Sequence, residues 1–227
     1  MLKMIGIITM TADHVGSIMY PDLLLLRVIG RLAFPIFAFL ISEGYRKTSD
    51  VTDYMGRILV FAFFSQLAYQ LALGSGTLNV LFTFALGLYA IYSYEKNNNI
   101  LIVFIVAIAA QLFQTDYGAY GVLMIFIFHK YHNNFKEVVK YFTLLTMAYV
   151  AYTVVPIYLE VQNFVVFRVY SVQLFAIPTL LFIYFYNGRR GPRAKYLFYV
   201  FYPGHLLLIH YLNEFIVNYR VEEILGG

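Results

Sequence analysis

Apolar residues in this chain come in long unbroken runs, without the alternation of a half-buried strand or the single stripe of a surface helix, and short polar clusters separate the runs. Wound as a helix, about 20 apolar residues match the thickness of a bilayer's hydrocarbon core. The pattern predicts a first span over about 3–20, turned by Tyr20-Pro21-Asp22, and a second over about 23–42. A third runs over about 55–73 and stops at Gly74-Ser75-Gly76, and a fourth over about 78–94 stops at Glu95-Lys96-Asn97. Spans over about 140–159, 170–187 and 196–217 close the series. Two shorter runs, about 100–114 and 118–129, flank Thr115-Asp116-Tyr117-Gly118. Each is short for a bilayer, and joined they are far too long for one straight helix at about 1.5 Å per residue.

The expectation is an all-α, polytopic transmembrane helical bundle of about nine spans, or eight if the short pair merges, forming a single domain over residues 1–227. Composition narrows the class further. Of 227 residues, 61% are hydrophobic and 12% are charged, against roughly 25% charged in soluble proteins. The absence of cysteine excludes disulfides, thiolate nucleophiles and cysteine-ligated metals, and no metal site is expected. No cleavable targeting peptide is expected, because the first apolar run contains Asp13-His14 and continues into the second.

Charge then orients the spans. With nine crossings, Lys3, Arg46, Lys47, Arg57, Lys96, Lys130, Lys136, Lys140, Arg189, Arg190, Arg193 and Lys195 share one side, and only Arg168 and Arg220 stand on the other. Cytoplasmic loops collect Lys and Arg, so the expectation is a multi-pass protein of the cell membrane, N-terminus in the cytoplasm and C-terminus outside. The net charge of +4 is thereby read as topology facing a lipid bilayer, with no nucleic-acid partner.

The remaining basic residues, Arg27 and Arg31, fall inside the second span. Ionisable groups within a membrane are costly and mark function by default. Folding the first two spans as a hairpin about Pro21 puts Asp13, His14, Arg27 and Arg31 at about 9–15 Å below the outer end, within reach of one another. Adjacent helical residues point about 100° apart, so Asp13 is expected to pair with an arginine and leave His14 as general base or proton carrier. A structural lock between two helices is the competing reading. His205, beside Pro203-Gly204 on the last span, is a second buried histidine, placed either to satisfy a carbonyl or to move protons. The run Asn187-Gly188-Arg189-Arg190-Gly191-Pro192-Arg193-Ala194-Lys195 reads equally as a retention signal and as a phosphate-binding loop.

Several segments together carry a resemblance. Met10-Thr-Ala-Asp13-His14-Val-Gly16, Gly30-Arg31-Leu-Ala-Phe-Pro35, Glu43-Gly44-Tyr45, Leu78-Asn79-Val-Leu-Phe82-Thr83, Asp116-Tyr117-Gly118, Tyr186-Asn187-Gly188 and Phe201-Tyr202-Pro203-Gly-His205 resemble, in order along the chain, the TraX family. Ala68 stands where the family pattern has Pro. The resemblance implies N-terminal acetylation of conjugative pilin, and kinship to the acyltransferase 3-like membrane acyltransferases that draw acetyl groups from cytoplasmic acetyl-CoA. It implies a catalytic role for His14. It also marks Arg27, Arg31, Arg189, Arg190, Arg193 and Lys195 as contacts for the CoA phosphates.

The resulting expectation is a membrane acetyltransferase using acetyl-CoA as donor and an amine or hydroxyl acceptor, a peptide or protein N-terminus or an envelope glycan. Asp13 sets the local charge, His205 is a second proton-transfer group, and Arg31 with Asn79 faces the developing oxyanion. A proton-coupled transporter or flippase, with Asp13, His14, Arg31, Asp116 and His205 as a charge relay, remains the alternative.

Overall fold

The computed structural model describes residues 1–162, 171–188 and 195–225. Arg168, Arg189, Arg190 and Arg193 lie outside the described residues, as do the side chains of Lys195 and Arg220.

The chain is all-helical over the described residues. Its helices are α1 (Leu2–Ile18), α2 (Leu24–Gly30), α3 (Ala33–Lys47), α4 (Val51–Leu73), α5 (Val80–Asn97), α6 (Ile100–Leu112), α7 (Gly118–Lys130) and α8 (Phe135–Val161). A 3-10 turn at Ser171–Ala176, α9 (Thr179–Tyr184) and α10 (Lys195–Leu225) follow. Among the described residues, three helical runs are long and apolar enough to cross a membrane: Leu24–Lys47, Val51–Leu73 and Phe135–Val161. Large apolar side chains also stand outward on α4 (Phe63, Phe64, Leu67) and α6 (Leu101, Ile105, Leu112), as on a surface made for lipid. The protein is a membrane protein by these features.

Two of the expected spans are interrupted, each by a proline. The second breaks at Arg31-Leu32 into α2 and α3. Pro35 has no N–H to give the Arg31 carbonyl, and its ring crowds that carbonyl, so no continuous helix passes from 31 to 35; in the first turn of α3 the same proline is tolerated. The eighth breaks at Ile177-Pro178 between the 3-10 turn and α9. By contrast α10 runs through Pro203 without interruption. The two short runs are separate helices of 13 residues each, α6 and α7, packed side by side.

The centre of the bundle is α5 and α7, which carry the fully buried Leu88, Ile91, Val122, Met124 and Ile125. They approach closely at Gly87, where an added Cβ would stand 2.4 Å from Ile125 Cδ1. Around this pair, α4 and α6 pack on α5, α3 and α8 pack on α7, and α10 lies across α4 and α1. In the α3–α4 loop, Asp50 caps α4; bonds from the Thr52 hydroxyl and then the Asp53 amide hold its carboxyl below the usual range.

Asn79 departs from its expected place at the oxyanion. It is fully buried and does not line the cavity described below. Its Oδ1 accepts from Leu81 N to cap α5, and its amide donates to Ala62 O and Gln66 Oε1, both at 2.8 Å. Both amide hydrogens are thus engaged in joining α4 to α5. Replacing Asn79 by Ala removes a cap and leaves buried acceptors unmet, so we expect a loss of about 1–3 kcal/mol in thermal unfolding in detergent.

Candidate functional site

The residues singled out within the first two spans meet. Asp13 Oδ1 accepts from both arginines, Arg27 Nη1 at 2.9 Å and Arg31 Nη2 at 2.5 Å, so the carboxylate is held by two cations and not one. Arg31 is fixed further by Nε to the Arg27 carbonyl and by Nη1 to Gln173 Oε1, both at 3.3 Å. A buried carboxylate without partners costs several kcal/mol, which the double pairing offsets. Gly30 makes the approach possible. A Cβ there would stand 2.2 Å from Asp13 Oδ1, so the carboxylate occupies the space of the missing side chain.

His14, one position on, turns away from this triad toward the last long helix. Its Nδ1 lies 2.7 Å from His205 Nε2, and the two rings stack with centroids 5.0 Å apart. His205 Nδ1 lies 2.7 Å from the Phe201 carbonyl. That carbonyl only accepts, so His205 carries its proton on Nδ1 and presents a bare Nε2. His14 must then donate from Nδ1, which leaves the lone pair on its own Nε2. The chain of bonds selects one tautomer of each ring and leaves His14 Nε2 with a free lone pair.

A cavity of about 240 Å³ lies beside these groups, lined by Asp13, His14, Ser17, Arg27, Arg31, Tyr69, Leu73, Asp116, Tyr117, Tyr149 and Gln173. Its walls come from the C-terminal ends of α1 and α4, from α2 and Arg31 after it, from the α6–α7 turn, and from Tyr149 of α8 and Gln173 of the 3-10 turn, which places it toward one end of the bundle. Arg27 is the more exposed of its two cations, at 34% against 14% for Arg31, and so is the one open to an incoming group.

The α6–α7 turn is built with unusual backbone. Leu78 N donates to Gln114 O at 3.0 Å and Asp116 N to Leu78 O at 2.7 Å, tying the turn to the α4–α5 loop. Thr83 Oγ1 lies within hydrogen-bond distance of both the Asp116 carbonyl and Thr115 Oγ1. Tyr117 has φ +64°, a left-handed conformation that costs a bulky residue roughly 1–3 kcal/mol. Its ring stacks on Phe34 at 3.7 Å.

A second polar cluster lies at the other end of the bundle. Arg46 is fifteen residues beyond Arg31, about 22 Å along a helix. There Glu43 pairs with Arg46 and Lys47, Tyr45 Oη donates to Glu95 at 2.7 Å, and His129 Nε2 meets Glu95 Oε1 at 2.9 Å. Lys47 Nζ also donates to the Gly188 carbonyl at 3.0 Å.

Sequence reasoning named Asp13, His14, Arg27, Arg31 and His205, and the structure brings all five together; Arg189, Arg190, Arg193 and the Lys195 side chain lie outside the described residues. It passed over Tyr69, Tyr117, Tyr149 and Gln173. With 22 tyrosines in the chain none stood out, but Gln173 is a lone amide in an apolar stretch and was a visible signal.

A family model described as "TraX protein" matches residues 1–213. The chain belongs to the TraX family. Among TraX-like relatives it is 28% identical over 228 residues, 92% of each chain, to a probable fimbrial assembly protein, FimC of serogroup H1, from Dichelobacter nodosus. It is also 30% identical over 98 residues, 43% of this chain and 38% of the other, to an uncharacterized protein of Rickettsia prowazekii (strain Madrid E). No solved structure matches the chain. The match to the TraX family takes in Asp13, His14, Gly30, Arg31 and His205.

The close fit at Gly30 yields a paired expectation. Gly30→Ala drives its new methyl into Asp13 and destabilises the protein by about 1–3 kcal/mol in thermal unfolding. Gly56→Ala, on α4 with open space around the new atom, is neutral or stabilising by up to about 1 kcal/mol.

Proposed function

We propose that this protein is a membrane-embedded acetyltransferase that moves an acetyl group from cytoplasmic acetyl-CoA to an amine or hydroxyl acceptor, a peptide or protein N-terminus or an envelope glycan. The observation that carries the reading is the His14–His205 pair, which leaves Nε2 as an unprotonated base on His14, a residue lining the cavity that also holds a guanidinium. In the proposed step Nε2 takes the acceptor's proton while its nitrogen or oxygen bonds to the acetyl carbon. The carbon–sulfur bond breaks, its electrons leave on sulfur, and the thiolate recovers the proton. Arg27 supplies N–H groups to the carbonyl oxygen as charge gathers there.

The donor fits in part. The cavity, about 240 Å³, is smaller than the roughly 300–1,000 Å³ of a pocket that encloses a whole small molecule, and suits the thioester end alone. The nucleotide end belongs with the basic loop Arg189–Lys195 under this reading. His14 is twelve residues from the start of α1, about 18 Å, within the span of an extended pantetheine arm. Belonging to the TraX family, and likeness to a fimbrial assembly protein, are in keeping with a protein acceptor.

The topology we propose is nine crossings, N-terminus in the cytoplasm and C-terminus outside, supported by the one-sided distribution of Lys and Arg and by the separateness of α6 and α7. The chain has no cysteine, so single cysteines report cleanly. Gln114→Cys should react with a membrane-impermeant maleimide on intact cells, and Asn98→Cys only after permeabilisation. Labelling of both from one side would remove the crossing by α6.

The activity is tested by incubating purified protein with radiolabelled acetyl-CoA and a membrane extract. Label should enter a component of the extract. His14→Ala should lower the rate about a hundredfold or more, and His205→Gln, whose amide oxygen still accepts from His14 Nδ1, should fall in between. Substrate flux driven by a pH gradient without label transfer would favour the transporter in its place.

A further inference from the structure

We infer that Asp116 is the acceptor-positioning residue of this cavity, taking a hydrogen bond from the N–H or O–H of the acceptor beside the atom that receives the acetyl group. The inference rests on the acetyl-transfer reading above.

Three observations converge on it. The cavity holds two carboxylates in opposite situations. Asp13 is occupied by two guanidiniums, whereas among the described residues no basic side chain stands within ion-pairing distance of Asp116. Burial pushes the Asp116 carboxyl up, against the through-space attraction of Arg31.

Secondly, the fold holds Asp116 through its backbone. Its N–H goes to Leu78 O and its carbonyl to Thr83 Oγ1, so the loop stays pinned whatever the side chain does. An acidic group in an apolar bundle that serves no ion pair among the described residues, and whose own turn offers it only the Tyr117 N–H, is expensive to keep and points to a ligand.

The third observation is the backbone of the turn. Gln114, Tyr117 and Gly118 have φ of +51°, +64° and +43°, three left-handed residues within five positions. Backbone of this kind persists where surrounding structure enforces it and where it aims functional groups. Here it brings Asp116 and Tyr117 together to the wall that His14 shares, with Tyr117 steadied by the Phe34 ring.

The chemistry assigned to Asp116 is geometric. Its carboxyl group neither gives nor takes a proton in the step; the acceptor's proton goes to His14 Nε2 and the bonding electrons to the CoA sulfur, as above. An amine and a sugar hydroxyl present the same donor to it, and the product tells them apart.

The test uses the full-length protein in nanodiscs, radiolabelled acetyl-CoA, and a dilution series of detergent-solubilised membrane extract as acceptor. Asp116→Asn should raise the extract concentration giving half-maximal labelling by about tenfold or more, the cost of losing a charged hydrogen bond. Half-saturation by acetyl-CoA should stay within about twofold, because the donor end of the site is untouched. Asp116→Glu should recover part of the loss. Release of label by hydroxylamine marks an ester, and resistance marks an amide. Thermal unfolding checks that the asparagine variant is folded, and Asp116→Ser serves as the second neutral variant if it is not. A neutral variant that saturates with extract as the wild type does, or that loses acetyl-CoA affinity in parallel, overturns the assignment while leaving the acetyltransferase intact. A wild-type protein that transfers no label overturns both.

Discussion

An aspartate buried in an apolar helical bundle stays ionised only with enough positive charge against it, and here two guanidiniums close on a single oxygen of Asp13. That arrangement governs much of the local architecture. It requires α2 to come within contact of α1, which only a glycine at position 30 permits. It requires Arg31 to face inward, where its remaining donors catch Gln173 and so bring the 3-10 turn after α8 into the same wall. Asp13 thereby gathers α1, α2 and the 3-10 turn around one cavity, and frees the next residue along α1 to face elsewhere.

What His14 faces is set by the pitch of the helix. A step of about 100° takes it out of the Asp13 cluster and onto α10, where His205 meets it. One side of the site therefore holds an ion-paired cluster and the other a neutral, hydrogen-bonded pair of rings. Had Asp13 contacted His14 directly, the imidazole would have been drawn toward its charged form and lost its lone pair. Instead the partner is a neutral ring whose own proton is anchored on the Phe201 carbonyl.

Much of this was legible in the sequence, for reasons that differ between residues. Asp13, His14, Arg27 and Arg31 were visible because charge is scarce in an apolar chain, and a hairpin about Pro21 put them at equal depth. The break at Arg31-Leu32 was also written there, in Pro35, but apolar run length masked it: the pattern across 23–42 is apolar on both sides of the break. Asn79 misled because a polar residue in an apolar run reads as chemistry, whereas a helix start needs an acceptor of its own. The left-handed turn at Tyr117 had no local signal beyond the glycine that follows it; tertiary contacts from Leu78, Thr83 and Phe34 impose it. Tyr69 and Tyr149 were invisible, since composition makes tyrosine commonplace in this chain.

The histidine pair joins the first helix to the last, across 191 positions of sequence. During synthesis α1 enters the membrane long before α10 exists. For that whole interval His14 lacks the neighbour that selects its tautomer. The placing of its lone pair on Nε2 therefore waits on the docking of the final helix.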